Sequence, residues 1–329
     1  MGTEFFTVAR GVRSLHWDGE GLLDPVAGGR RWSVDGTERP AGVPHGPLFD
    51  RAVVSPSGRY RVLYAERGTE GLVLQDGLPV REFDRSSYQA TEFDHPVAVG
   101  RLPDGREVLA HCPEHRGDLR LVDLATGEQL TPGERDGNGL FHSRPSFTPD
   151  GRYLLSHACV WGPYGLVQVY DTAAAPAEPV LLGGPGVLPF GMGDVAEVVA
   201  ACWLDDDRLV LATGPDSTGD DGEGELGTEQ LGVWSMAQGR WLHRSPLVAP
   251  PGLLLPRGGQ LVSLHGHPRL LDAATGALIA EWPEVVVPAK DRPFEDSRPT
   301  PTAALSPDGG RLAVAVGGGI ALVDLPAEA

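Results

Sequence analysis

Three cysteines in 329 residues, Cys112, Cys159 and Cys202, are too few and too scattered for a disulfide framework. No pair has the C-x2-C spacing of a structural zinc site. A single lysine, Lys290, stands among many arginines, and 27 basic residues face 45 acidic ones for a net charge of −18. Such a field repels phosphate backbones and anionic lipid, which argues against nucleic acid and membranes as partners and favours a basic one. No stretch approaches the roughly 18 apolar residues of a membrane span. The opening MGTEFFTVARG carries no secretory pattern, and Phe6 stands where myristoylation needs Ser or Thr. A G-x-S-x-G elbow and a phosphate-binding loop are missing as well. These absences point to a cytoplasmic protein with reduced thiols. The arginine bias, with abundant Ala, Gly and Pro, fits a GC-rich bacterial genome.

What is abundant is turn chemistry: 45 Gly and 30 Pro. One phrase, SFTPDGRYLLS at 146–156, sets an apolar stretch on either side of Pro-Asp-Gly, the residues of a tight hairpin turn. It returns as VVSPSGRYRVL (53–63), GRLPDGREVLA (100–110) and ALSPDGGRLAV (304–314), and more loosely as ACWLDDDRLVL (201–211) and LLPRGGQLVSL (254–264). A seventh copy, SLHWDGEGLLDPVAGGRRWSV (14–34), aligns without a gap to 305–325. The turns fall near 19, 58, 105, 151, 207, 258 and 309. That spacing is of the size of four-stranded propeller blades. Each turn leads to a third strand, such as LVLQDG (72–77), LVQVYD (166–171) or ALVDL (321–325). A fourth follows in most copies, as in EPVLL (178–182), RWLHR (240–244) and ALIAEW (277–282). The last copy stops after its third strand, while EFFTV (4–8) is a strand left over at the start. An all-β, seven-bladed β-propeller follows, of four-stranded antiparallel blades in a single domain over 1–329, closed by the N-terminal strand completing the last blade. Only short stretches such as 195–202 read as helical.

The cadence resembles bacterial WD40-like propellers, in which xFSPDGxxLA…VxLWDxxTGxxL is the usual repeat. The resemblance covers nearly the whole chain. The Gly-His and Trp-Asp dipeptides of strict WD40 repeats are mostly replaced here by Val-Asp, Tyr-Asp or Trp-Ser. Strict WD40 and other seven-bladed families, such as lactonase-like propellers, both remain open. The resemblance implies an interaction module.

In such a ring the inner strand of each blade starts beside the central axis. The residues ahead of each turn then gather at the channel mouth: Arg10, Asp50, Arg51, His95, His142, Arg144, Glu197 and Arg298. They mix opposite charges with imidazoles, as a binding surface does. The alternative is that they are polar loop residues satisfying one another. His111 and His157 with Cys112 and Cys159 have ligand chemistry but no zinc spacing, and buried structural residues account for them, so no metal or cofactor is expected. Arg116-Gly117-Asp118 reads as a hairpin turn. The acidic stretch 215–230 lacks the EF-hand order that Asp216, Asp220 and Asp221 would need for calcium. The crossing 283–300 is either an ordinary long loop or a cover for the mouth.

Two functions are compatible with this reading. One is a non-catalytic scaffold whose face binds a protein or peptide. The other is a small-molecule-binding or catalytic propeller, a hydrolase, lyase or isomerase of a bacterial biosynthetic pathway. In that case His95 and His142 are candidate bases, and Arg51, Arg144 or Arg298 holds an anion.

Overall fold

The structure is a computed structural model, which describes residues 2–8, 11–39, 42, 44–46, 48–113, 118–133, 139–160, 164–216 and 225–328. Its strands run in chain order through seven antiparallel sheets. Strand β1 (Thr3–Thr7) stands apart, and blade one is β2 (His16–Asp18), β3 (Gly21–Asp24), β4 (Arg30–Trp32) and β5 (Glu38–Arg39). Blade two is β6 (Arg51–Val54), β7 (Tyr60–Tyr64), β8 (Glu70–Gln75) and β9 (Leu78–Asp84). Blade three is β10 (Ala98–Arg101), β11 (Glu107–His111) and β12 (Arg120–Asp123), with a bridge from Val122 to Gln129 beginning a fourth strand. Blade four is β13 (Phe141–Phe147), β14 (Tyr153–Val160) and β15 (Tyr164–Asp171). Blade five is β16 (Val198–Trp203), β17 (Arg208–Thr213), β18 (Gln230–Ser235) and β19 (Arg240–Pro246). Blade six is β20 (Leu253–Arg257), β21 (Gln260–His265), β22 (His267–Asp272) and β23 (Leu278–Glu281). Blade seven is β24 (Ala303–Leu305), β25 (Arg311–Val316) and β26 (Gly319–Asp324), and β1 completes it by pairing Thr3 with Val323 through Thr7 with Gly319. The leftover first strand thus closes the ring, as the sequence predicts.

The repeated phrase is a hydrogen-bonded cassette. In blade four the Thr148 hydroxyl accepts the Tyr153 N–H at 3.0 Å and donates to Asp150 at 2.7 Å, while Asp150 accepts the Arg152 N–H at 2.9 Å. Ser306 and Asp308 repeat the pattern in blade seven, with Arg311 N–H at 2.8 Å and Gly310 N–H at 3.0 Å. The side chains satisfy turn N–H groups that the sheet ladder cannot reach, which is why the sequence needs Ser/Thr before Pro and Asp after it. The third-strand aspartates do the same one turn later. Asp123, Asp171 and Asp272 each accept the N–H groups two and three residues on, such as Ala125 and Thr126 at 2.8 Å on Asp123. Aspartate where a strict repeat has Trp-Asp is therefore a turn cap.

Two expectations fail. EPVLL forms a short 3₁₀ turn, Pro179–Gly183, rather than a fourth strand, because Pro179 at its start cannot donate to a ladder. Residues 195–202 are not helical. Val198–Trp203 is the inner strand of blade five, and burial between neighbouring blades overrides the helix preference of its alanines. Between blades the packing is apolar: Val62, Val73, Leu109 and Leu124 interlock blades two and three with accessibilities of 0–1%. Polar ties cross the same seams, including Trp17 Nε1 to the Ala304 carbonyl at 3.0 Å and Trp203 Nε1 to the Ser146 carbonyl at 3.1 Å.

Gly151 sits at φ +71°, and a Cβ there would meet the Arg101 carbonyl of blade three at 1.7 Å, whereas at Gly58 (φ +73°) a Cβ would meet open space. Gly151→Ala is expected to cost about 3 kcal/mol or more and Gly58→Ala about 1 kcal/mol. Paired chemical-denaturation curves check the difference.

Candidate functional site

Crossings between blades, and turns between second and third strands, open on one face of the ring. There the segment after β23 leaves blade six, passes over the channel and returns to blade seven. It forms an antiparallel bridge with the crossing between blades two and three, Phe294 with Phe93, in which Asp94 N–H donates to the Pro293 carbonyl at 2.8 Å. Phe294 is 1% exposed and packs with Phe93 and Cys159. Arg292 reaches Glu197 at 2.9 Å, and Asp291 accepts from His265 at 2.8 Å. The long crossing is a strap over the mouth.

Beneath it lies a buried ion cluster. Lys290, fully buried, contacts Glu66 at 3.1 Å and Asp94 at 2.7 Å. Arg51 pairs with Glu66, Arg67 with Asp94 at 3.0 Å, and Arg144 with Asp94 at 2.9 Å. The Thr300 hydroxyl donates to Glu66, and its own N–H donates to the same carboxylate at 3.1 Å. Burial would raise the Glu66 carboxyl, but Arg51, Lys290 and Thr300 overcome it and hold it at about 2. Burial pulls Lys290 below its ordinary value and its carboxylates oppose the pull.

Below the cluster the central channel encloses a cavity of about 510 Å³. Arg51, Glu66, Asp94, His95, Arg144 and Thr300 line its upper end, and its walls are mainly apolar. Arg144 reaches this end from a β-bulge between Ser143 and Ser146, with φ +40°. A bulge re-aims a side chain at a modest cost in backbone strain.

The structure gathers some of the sequence-derived candidates and separates others. Arg51, His95 and Arg144 meet at the cavity, and Asp50 stands behind them, accepting the Glu66 N–H at 2.7 Å. His95 is 2% exposed, and burial, then Arg85 and His111, keep it well below its ordinary value. His142 is buried within blade four against Ser156 at 2.8 Å and does not line the cavity. Glu197 anchors the strap through Arg292, and Arg298 braces the strap internally on Asp291 and Asp296. Arg10 lies outside the described residues, as do Arg116, Gly117, Asp220 and Asp221. Sequence reading missed Glu66, Arg67, Asp94, Lys290 and Thr300. The sole lysine of an arginine-rich chain was the one signal available for them.

Among the described residues no group of three or more His, Cys, Asp or Glu side chains is placed to hold a metal ion. His157 instead bonds the Val198 carbonyl at 2.8 Å, and burial pushes the Cys159 and Cys202 thiols up to about 12. No helix among the described residues is long and apolar enough to cross a membrane.

The fold is thus a seven-bladed β-propeller. No family model and no curated protein matches the chain. It is similar to a chain of the solved "Crystal Structure of Mitotic Checkpoint Complex", at 17% identity and a TM-score of 0.61, over 95% of this chain and 89% of that one. Likeness at that identity establishes architecture alone.

Lys290→Ala would leave Glu66 and Asp94 buried without their shared cation, and a loss of about 3–5 kcal/mol is expected in equilibrium unfolding. The acid limb of stability carries a second signature. Because the folded Glu66 value is depressed from 4.5 to about 2, its contribution is complete above the ordinary glutamate value. That contribution, about 3 kcal/mol, is lost as pH falls from about 5 towards 2. Glu66→Gln should flatten that part of the stability–pH profile.

Proposed function

We propose that the chain is a non-catalytic interaction module, a single propeller domain over 1–329 that binds a protein or peptide, with a basic partner favoured, in the bacterial cytoplasm. One observation carries the reading: the charged arginine, lysine and carboxylate side chains at the mouth are paired with one another beneath the strap. Arg51, Arg67, Arg144 and Lys290 hold Glu66 and Asp94, and the two histidines that would serve as bases do not converge. Such an arrangement favours a rigid surface over acid–base chemistry. The strap presents exposed Val286, Asp291 and Glu295 on that face, within a chain of net charge −18. This charge supports attraction of a basic partner. Cys112, Cys159 and Cys202 are buried free thiols, in keeping with a reducing compartment.

The test is capture from the native host with wild type beside an Asp291→Arg/Glu295→Arg variant. A stoichiometric protein partner is expected on wild type at about 0.05 M salt, lost in the variant and weakened at about 0.5 M. A wild-type bait that retains nothing stoichiometric overturns the reading.

A further inference from the structure

The channel cavity has a chemical polarity that an interaction surface does not need. Its walls include Val53, Val97, Phe147, Trp203, Leu253 and Leu255, and its charged residues lie at one end. Arg51 and Arg144 line that end with Glu66 and Asp94, and Arg67, Arg85 and Lys290 pack behind them. Arg85 is 5% exposed and hydrogen-bonds to backbone carbonyls, including Gly68 at 2.7 Å and Ala90 at 2.7 Å.

Donor capacity remains at this end. Arg144 uses Nε on Asp94 and Nη2 on Thr300, which leaves Nη1 without a hydrogen-bond partner among the described residues. The left-handed backbone of Arg144 and the bulge around it aim this guanidinium at the cavity. Tyr64 also lines the cavity, and its hydroxyl has no hydrogen bond within the described protein. His95, 2% exposed, lines the same end with its ring nitrogens sealed from solvent. Arg144 Nη1 and the Tyr64 hydroxyl are therefore the donors that this end offers to a polar occupant.

From this juxtaposition we propose that the channel binds a small monocarboxylic acid with an apolar body, its carboxylate on Arg144 and its body among the apolar walls. The volume of about 510 Å³ lies within the roughly 300–1,000 Å³ typical of small-molecule sites. The apolar walls favour a single planar carboxylate over a phosphate, which carries more charge and would lose more hydration. Entry is from the turn face, where the lining residues Pro149 and Pro256 are exposed, because the strap covers the other end. This site is independent of any protein partner on the strap.

The probes are benzoate, 3-phenylpropionate and hexanoate, each beside its primary amide, measured by ligand-observed saturation-transfer NMR and titration calorimetry on the full chain. At least one acid is expected to bind saturably below about 10 mM and at least tenfold more tightly than its amide, a difference of about 1.4 kcal/mol. Arg144→Gln should weaken the acid at least tenfold and narrow its advantage over the amide. Leu255→Trp should block acid and amide alike by filling the cavity, and it leaves the ion cluster untouched if Arg144→Gln unfolds. Three results overturn the proposal: no saturable binding by any of the acids, equal affinity for acid and amide, or acid binding that survives Leu255→Trp.

Discussion

Everything in this molecule depends on the pairing of its first strand with its last. A blade alone exposes an edge of unmet N–H and C=O groups on either side, and a row of blades leaves two apolar faces bare. With Thr3–Thr7 seated on Gly319–Asp324, blade seven becomes four-stranded and its faces pack against blades six and one. Trp17 of blade one then reaches the Ala304 carbonyl of blade seven, so the seam is locked by a directional bond as well as by burial. Only in the closed ring does a central channel exist.

The second constraint runs across the ring. Blades contact their neighbours, so a propeller has few ways to tie distant blades together. The strap supplies one, because Lys290, set between blades six and seven, binds Glu66 of blade two and Asp94 of the crossing that follows it. Such a buried cluster gains little over apolar packing and is punishing when broken, so its value lies in fixing a single arrangement of the mouth. Arg144 belongs to the same arrangement through Asp94, and the cavity below takes the shape of its upper end from it.

The legible parts of the sequence were the local ones. Thr148, Asp150 and Gly151 bond within a few residues of themselves, so their order along the chain states their geometry, and the number and position of the blades follow. Ring closure was legible too, through a strand missing at one end and surplus at the other. The mouth was only half readable. Arg51 and Arg144 could be placed because inner strands begin at the axis. Glu66 was overlooked because it sits in a turn between second and third strands, which opens on the same face. Lys290 and Asp94 meet across 196 positions, and no spacing rule links them. EPVLL misled because an apolar run with proline at its start resembles an edge strand until its neighbours are known.

Vectorial synthesis gives the strap a further consequence. Blades two and three emerge well before Lys290 is made, so Glu66 and Asp94 wait with the arginines already present while the lysine that joins them is still untranslated. Domains are built at about 5–20 residues per second, slowly compared with hairpin formation, so the early blades have time to take shape around an unfinished centre. The arrival of Lys290 and Phe294 then acts as a late keystone, set from the far end of the chain into a gap that the first half has left open.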